Sequence, residues 1–400
     1  MSWSKRKLGE LCEITSSKRI FYSEYVERGV PFYRSKEIIE SSQGMEISEP
    51  LFISEEKYAE IKNKFGVPTA GDMLLTSVGT IGVPYIVKES DRFYFKDGNL
   101  TWFRNYSTDI IPEYIYFWVR STEGQGVLNN TTIGSSQKAL TISSLNKIEI
   151  AVPPVNSQKA IVKMLSAYDN LIENNQKQIK LLEEAVQRLY KEWFVDLRFP
   201  GYEDAVIVDG VPEGWRKTAL EDIVKLRKET VTKGKIPDGI PYIGLEHMPR
   251  KDICLSTWGN SADVNSNKSK YYENDIIFGK IRPYFHKVGF ALNNGVTSTD
   301  TFVMNAQDRL WGLLLSVVSS TDFVNYSYQN CKEGAKMPRA DWKQMKNYQI
   351  LIASNSIQQS FEKQIWTITR NIKCLALQNR KLVEARDRLL PKLMSGEIEV

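Results

Sequence analysis

The residues in this chain best suited to chemistry are cations set among aromatics. Lys280-Ile281-Arg282-Pro283-Tyr284-Phe285-His286-Lys287 interleaves the two. Cations neutralise phosphates and release counterions, and an arginine can take guanine O6 and N7 as a bidentate pair. We read Lys280, Arg282, Tyr284, His286 and Lys287 as nucleic-acid contacts. The alternative is a solvated strand end with Tyr284 and Phe285 turned into a core. Further on, Lys332, Lys336 and Arg339 surround Gly334, and Ser136, Gln137 and Lys138 stand at the matching place in the first half. A glutamine can read adenine, whereas a lysine steers or holds phosphate. Arg34 and Lys36, with Thr76, Ser77 and Thr80 around Gly79, offer guanidinium, ammonium, hydroxyl and glycine-flanked amide groups of the kind that hold phosphate. All of these segments are also compatible with simple polar loops.

Covalent chemistry has no comparable set. The [N/D]-P-P-[Y/F] motif of amino-methyl transfer is absent, because Pro153-Pro154 is flanked by Val152 and Val155. No GxxxxGK[ST] phosphate cradle occurs, and Gly79-Thr80-Ile81-Gly82 reads as a turn between strands. The two histidines, His247 and His286, lie apart, and no carboxylate spacing marks an acid/base pair. The four cysteines, Cys12, Cys254, Cys331 and Cys374, form no CxxC pair, which argues against a zinc site and a disulfide framework and fits a reducing cytoplasm. We therefore expect no catalytic residues, no metal and no enzyme activity. No apolar run follows the first residues, and the longest apolar stretch, Trp311 to Val318, is too short for a bilayer, so neither a signal peptide nor a membrane partner is expected.

The 400 residues allow two or three domains with cores of their own, and 42% apolar with 25% charged residues is ordinary for a soluble protein. A net charge of +5 permits nucleic acid without requiring it. What must position the candidate residues is a repeat. Leu182-Glu183-Glu184-Ala185-Val186-Gln187-Arg188-Leu189 returns 200 residues later as Leu382-Val383-Glu384-Ala385-Arg386-Asp387-Arg388-Leu389. Trp3 with Leu8 answers Trp215 with Leu220, Pro31-Phe32-Tyr33-Arg34 answers Pro241-Tyr242-Ile243-Gly244, and Ile148 to Val152 answers Tyr348 to Ile352. The offset drifts from 212 to 200, as insertions within two otherwise similar heads would produce. Each head reads as mixed α/β, with strands near Gly82 to Val87 and Ile276 to Phe278 and a helix over Pro112 to Arg120.

Two long helices follow the heads. Apolar positions recur at Ile161, Leu165, Tyr168, Ile172, Ile179, Leu182, Val186, Leu189 and Trp193, and again at Phe361, Ile365, Ile368, Ile372, Leu375, Leu382, Leu389 and Leu393. Such a stripe predicts a coiled coil. A parallel pair would strand Asn175 against Leu375 and Asn379 against Ile179. An antiparallel pair sets Asn175 opposite Asn379, Ile161 opposite Leu393 and Trp193 opposite Phe361, leaving only Tyr168 with Arg386 unmatched. We expect the antiparallel pair, with Asn175 and Asn379 fixing its register, and Asn156 or Ser157 capping the first helix. The charged positions Lys177, Lys180, Glu183, Glu184, Arg188, Lys381 and Arg388 read as a solvated face, part of it meeting partner subunits. The expected layout is a first head over 1–155, a helix over 156–196, a linker over 197–213, a second head over 214–355, a helix over 356–394 and a tail over 395–400. Two such heads joined by antiparallel helices are pseudo-two-fold, which suits two half-sites on a duplex.

End to end, the chain resembles the DNA-specificity subunit of a type I restriction-modification system. The resemblance is carried by the head starts at Trp3 and Trp215, by Ile150-Ala151-Val152-Pro153-Pro154 with Gln158 and Ile161, by Leu189-Tyr190-Lys191-Glu192-Trp193-Phe194-Val195-Asp196, and by Leu389-Leu390-Pro391-Lys392-Leu393-Met394-Ser395-Gly396-Glu397-Ile398. Ser354-Asn355-Ser356 departs from the pattern where the first copy has Pro153-Pro154. The resemblance implies two target-recognition domains reading a bipartite, asymmetric site in double-stranded DNA. It implies helices that dock two methyltransferase subunits and two restriction (motor-nuclease) subunits, and S-adenosylmethionine, ATP and magnesium held by those partners, with no cofactor in this chain. A self-sufficient methyltransferase or nuclease lacks its motifs here. A coiled-coil adaptor unrelated to nucleic acid is the other class of reading.

Overall fold

The computed structural model describes residues 3–45, 47–134, 138–307, 309–331 and 337–400. The chain forms two compact units, Met1–Glu173 with Lys381–Val400, and Asn174–Arg380. Of the candidate residues, Ser136, Gln137, Lys332 and Lys336 lie outside the described ones.

The first unit is closed at its base by strand Ser4–Lys7 pairing antiparallel with Glu149–Val152, Ser4 opposite Val152. Between them lie two four-stranded sheets. One runs in the order Glu13–Thr15, Leu100–Arg104, Met73–Thr76, Pro84–Ile86, and the other in the order Tyr25–Val26, Leu51–Ile53, Val30–Tyr33, Tyr94–Phe95. Strand Met73–Thr76 is buried throughout because both its faces are covered. Met73 and Leu75 join the core with Tyr114, Phe117 and Trp118 of helix Pro112–Arg120, while Leu74 points the other way to Tyr85, Phe95 and Trp102. The first core also takes in Ile161 and Leu165 of the first long helix and Leu390 and Leu393 of the second.

The second unit repeats the base clip, with Arg216–Ala219 antiparallel to Gln349–Ile352 and Arg216 opposite Ile352. Against the first clip the offsets are 212 and 200, the two ends of the drift seen in the sequence. Its first sheet keeps the order of its counterpart (Val224–Leu226, Thr301–Ala306, Ile276–Gly279, Val288–Ala291) and adds Cys254–Leu255 at the edge. The second sheet departs further. Its order is Thr230–Val231, Lys268–Tyr271, Gly295–Ser298, Pro241–Ile243, Gly259–Asn260, although a parallel pair survives in both units, Phe32 opposite Tyr94 and Tyr242 opposite Val296. The heads thus differ beyond their loops.

The long helices are Val155–Tyr190, followed by a π-helical turn over Lys191–Val195, and Asn355–Met394. Their direction is antiparallel. Within the second unit, Asn175 Nδ2 donates to Asn379 Oδ1 at 2.8 Å and to Gln378 Oε1 at 3.2 Å, while the Trp193 and Phe361 rings lie 5.7 Å apart, so ascending one helix descends the other by the same number of residues. Three details differ from expectation. The first helix starts at Val155, so Asn156 and Ser157 sit inside its first turn and do not cap it. Arg386, expected beside Tyr168, instead donates to Asp169 Oδ1 at 2.7 Å, and Asp169 also accepts from Arg120 at 2.6 Å, so the polar interruption in the seam is neutralised by an ion pair. Glu183 is no part of the solvated face. It is buried and accepts from Ile253 N and Cys254 N, both at 2.9 Å, clamping the added edge strand.

Each head also docks a helix start on its long helix. Gln158 Oε1 accepts from Ile111 N at 2.9 Å, just before helix Pro112–Arg120. Glu362 accepts from Gly312 N and Leu313 N at 2.6 and 2.9 Å, at the start of helix Trp311–Val318, where a carboxylate suits both the unpaired amides and the helix dipole. The Asn pair gives a test of register. Asn379→Leu should cost about 1–3 kcal/mol by leaving a buried Asn175 donor poorly satisfied, and the double change with Asn175→Leu should recover that loss. Denaturant titration measures both, and a double variant no more stable than the single one sinks the register role.

Candidate nucleic-acid interface

In the second unit the candidate loop links strands Ile276–Gly279 and Val288–Ala291. A short 3-10 turn, Pro283–Phe285, is bracketed by Arg282 at φ 50° and His286 at φ 53°. Both are left-handed, a conformation that costs an L-residue about 1–2 kcal/mol. The loop is held to the segment before the last strand: Ile281 bridges to Arg339, Arg282 N donates to Pro338 O at 2.8 Å, and Ala340 N donates to Lys280 O at 2.9 Å. Arg282 and Arg339, in separate clusters along the sequence, therefore share one surface.

The same construction appears in the first unit. Val78 bridges to Ala139, and Leu140 N donates to Ser77 O at 2.9 Å. The left-handed places are taken there by Gly79 and Gly82, both at φ 81°, as a backbone of that shape favours. Ser77 N and Ser35 Oγ both donate to Asn99 O, which brings the segment of Arg34 and Lys36 alongside.

The structure sorts the candidates by what their polar atoms already do. Tyr284 is 46% exposed and packs edge-on against Phe285 and Tyr328. The Arg282 guanidinium lies 5.8 Å from the Phe285 ring, and its buried Nε has no protein acceptor. Lys280 donates to Thr299 O at 2.8 Å and lies 4.5 Å from the Phe302 ring, and Lys287 donates to Leu245 O. Burial lowers the pKa of both lysines. Arg339 pairs with Asp300 at 3.0 Å. His286 is buried, and its Nε2–H donates to Ser319 O at 2.8 Å, because a carbonyl can only accept. Burial lowers its pKa, which keeps the ring neutral. It shapes the loop and presents no charge, contrary to its expected contact role. Thr76 and Ser77 are corrected likewise. Both are buried, with the Thr76 hydroxyl accepting from Val83 N at 2.9 Å and the Ser77 hydroxyl bonded to Thr101, so neither hydroxyl is free for phosphate. Thr80 and Lys138 are exposed, Lys36 pairs with Glu49 at 2.9 Å, and the Arg34 guanidinium is held by the buried Glu37. Asn175 and Asn379 are bonded to each other as described above.

Sequence reading missed Arg250 and Lys251, which reach the loop from another segment. Lys251 N donates to His286 O at 2.9 Å, and the Arg250 guanidinium lies 4.1 Å from the Phe285 ring. The Arg250-Lys251 pair was visible, but nothing local ties it to residues more than thirty positions on. Among the described residues, no group of three or more His, Cys, Asp or Glu side chains gathers as a metal site would require, and no helix is long and apolar enough to cross a membrane.

Residues 1–184 match the type I restriction modification DNA specificity domain. The type I restriction enzyme MjaIX specificity subunit of Methanocaldococcus jannaschii is 27% identical over 350 residues, covering 82% of this chain and 78% of that one. Over most of its length the chain is similar to type I restriction enzyme specificity subunits. The putative MjaX specificity subunit of the same organism is 20% identical, covering 100% of this chain and 94% of that one. In fold, the chain is similar to the crystal structure of a type I restriction-modification S subunit from M. genitalium, with a TM-score of 0.61 at 13% identity over 98% of this chain and 96% of that one.

Proposed function

We propose that the chain is the non-catalytic DNA-reading subunit of a type I restriction-modification complex, its two units taking the two halves of a bipartite, asymmetric site in double-stranded DNA. The long helices dock two methyltransferase and two restriction subunits, which hold the S-adenosylmethionine, ATP and magnesium, and the complex works in the cytoplasm. One observation carries this reading: each unit has its own supporting sheet, the two alike in strand order, but the loops on them differ. Where the first places Gly79, the second places Arg282 in the same left-handed bend. One framework with two unlike loop sets suits two unlike half-sites. Exposed apolar residues on the long helices, Leu171 at 48% and Leu181 at 65%, support docking there.

Duplex binding by the purified chain should weaken steeply with salt, and methylation should require added methyltransferase subunits. A coiled-coil adaptor would show no salt slope. Arg282→Gly separates binding from folding. Relief of about 1–2 kcal/mol in the left-handed bend offsets the ~0.5–1 kcal/mol of extra chain entropy, so stability should hold or rise slightly. Affinity for one half-site should fall nonetheless. Unchanged affinity at moderate salt removes Arg282 from the contact surface.

A further inference from the structure

Three residues in one patch of the second unit carry left-handed backbone, two of them cations: Lys251 at φ 69°, Arg282 at φ 50° and the neutral His286 at φ 53°. Glycine would hold these bends without strain, and the first unit uses Gly79 and Gly82 at its version of the loop. Strain of this kind persists where surrounding contacts impose it, and it clusters at functional sites. Here the contacts are identifiable. Lys251 N is bonded to His286 O, His286 is anchored on Ser319 O, and the Ser319 hydroxyl accepts from Gln187 of the first long helix at 2.8 Å. The bends therefore hang from the helix through a chain of hydrogen bonds.

The patch is built around one ring. The guanidiniums of Arg250 and Arg282 lie 4.1 and 5.8 Å from the Phe285 centroid, and Tyr284 meets the same ring edge-on at 4.9 Å. A guanidinium resting on an aromatic ring loses little freedom on binding and keeps its N–H fork for an acceptor pair. Arg250 and Lys251 are exposed, and among the described residues no carboxylate is found paired with either of them. The nearby carboxylate Glu246 acts on Lys287 and touches His247 at 3.9 Å.

We propose that Arg250 reads guanine in the half-site of the second unit, set beside Arg282 by the Phe285 ring, and that Lys251 anchors the adjoining phosphate. This rests on the DNA-reading function above and adds two residues to it. The chemistry follows from shape: two planar forks on one ring suit the O6/N7 acceptor pairs of guanines in a major groove, and an ammonium suits a point charge.

The test is selection from a randomised duplex pool by the full chain, with salt titration and thermal melting alongside. Arg250→Lys keeps the charge and should melt like the parent and keep its salt slope. Its preference for guanine at one position of one half-site should fall roughly 10- to 100-fold. Lys251→Gly should weaken binding to all sequences and lower the salt slope by about one. Selection of the parental sequence by both Arg250→Lys and Arg250→Ala overturns the proposal. So does even weakening across all positions with a reduced salt slope, which would make Arg250 a phosphate contact. Intact selection with weakened assembly on a methyltransferase subunit would give the patch to a protein partner and also overturn it. A parent chain with no salt slope at all would instead remove the DNA reading itself.

Discussion

Phe361→Ala is expected to cost about 3–5 kcal/mol, the usual range for truncating a fully buried aromatic. The Phe361 ring is 0% exposed and lies 5.7 Å from Trp193 and 4.7 Å from Phe194. Phe194 continues to Trp215 at 5.3 Å, and Trp215 to Phe199 at 4.7 Å. This aromatic file joins the helix pair to the entrance of the second head, all within one unit. Its rings are too rigid to close the cavity, so the cavity cost adds to the lost burial. Calorimetry should show the second unit melting roughly 10 °C lower. Leu181→Ala, at a residue 65% exposed on the same unit, should change little and serves as the control. A Phe361→Ala shift no larger than the control's would mean that the ring does not hold this seam.

The second large effect is a pH dependence at Glu183. Burial, reinforced by Asp252, pushes its carboxyl up to about 8, against the opposing pull of two backbone N–H donors. An unfolded glutamate titrates near 4.3. Between the two values the folded chain keeps a proton that the unfolded chain has released, so stability falls as pH rises through this window and levels off above about 8. Glu183→Gln keeps an acceptor for Ile253 N and Cys254 N but has no proton to lose. The variant should show a flatter stability profile from pH 5 to 8 and exceed the parent by ~2–4 kcal/mol at the alkaline end. Parallel profiles for the two proteins would show that Glu183 stays charged in the fold.

Much of the architecture could be read from residue order because it rests on periodicity. The seam positions Ile161, Leu165, Ile172 and Val186 are buried, as are Phe361, Ile365, Ile372 and Leu393. The polar pair Asn175 and Asn379 faces itself because only an antiparallel register satisfies both amides. Helix Pro112–Arg120 carries its own start signal in Pro112. What escaped was set by contacts between distant segments. Glu183 looks like any surface glutamate until the strand ending at Leu255 lies against it, and Arg386 looks like a fault in the stripe until Asp169 pairs with it. The hydroxyls of Thr76 and Ser77 suggested phosphate, yet both are buried and already bonded to Val83 N and the Thr101 hydroxyl. The order of each unit's second sheet escaped because its short strands carry little alternation from which an order could be inferred.

Each pair of basal strands, Ser4–Lys7 with Glu149–Val152 and Arg216–Ala219 with Gln349–Ile352, closes its excursion of chain like the clasp of a purse. Whatever lies in the outer loops is tethered at both ends to a seat made without their help. Substitutions can therefore accumulate in those loops while the paired strands that seat them keep their register, so novelty in one unit need not be repaired in the other.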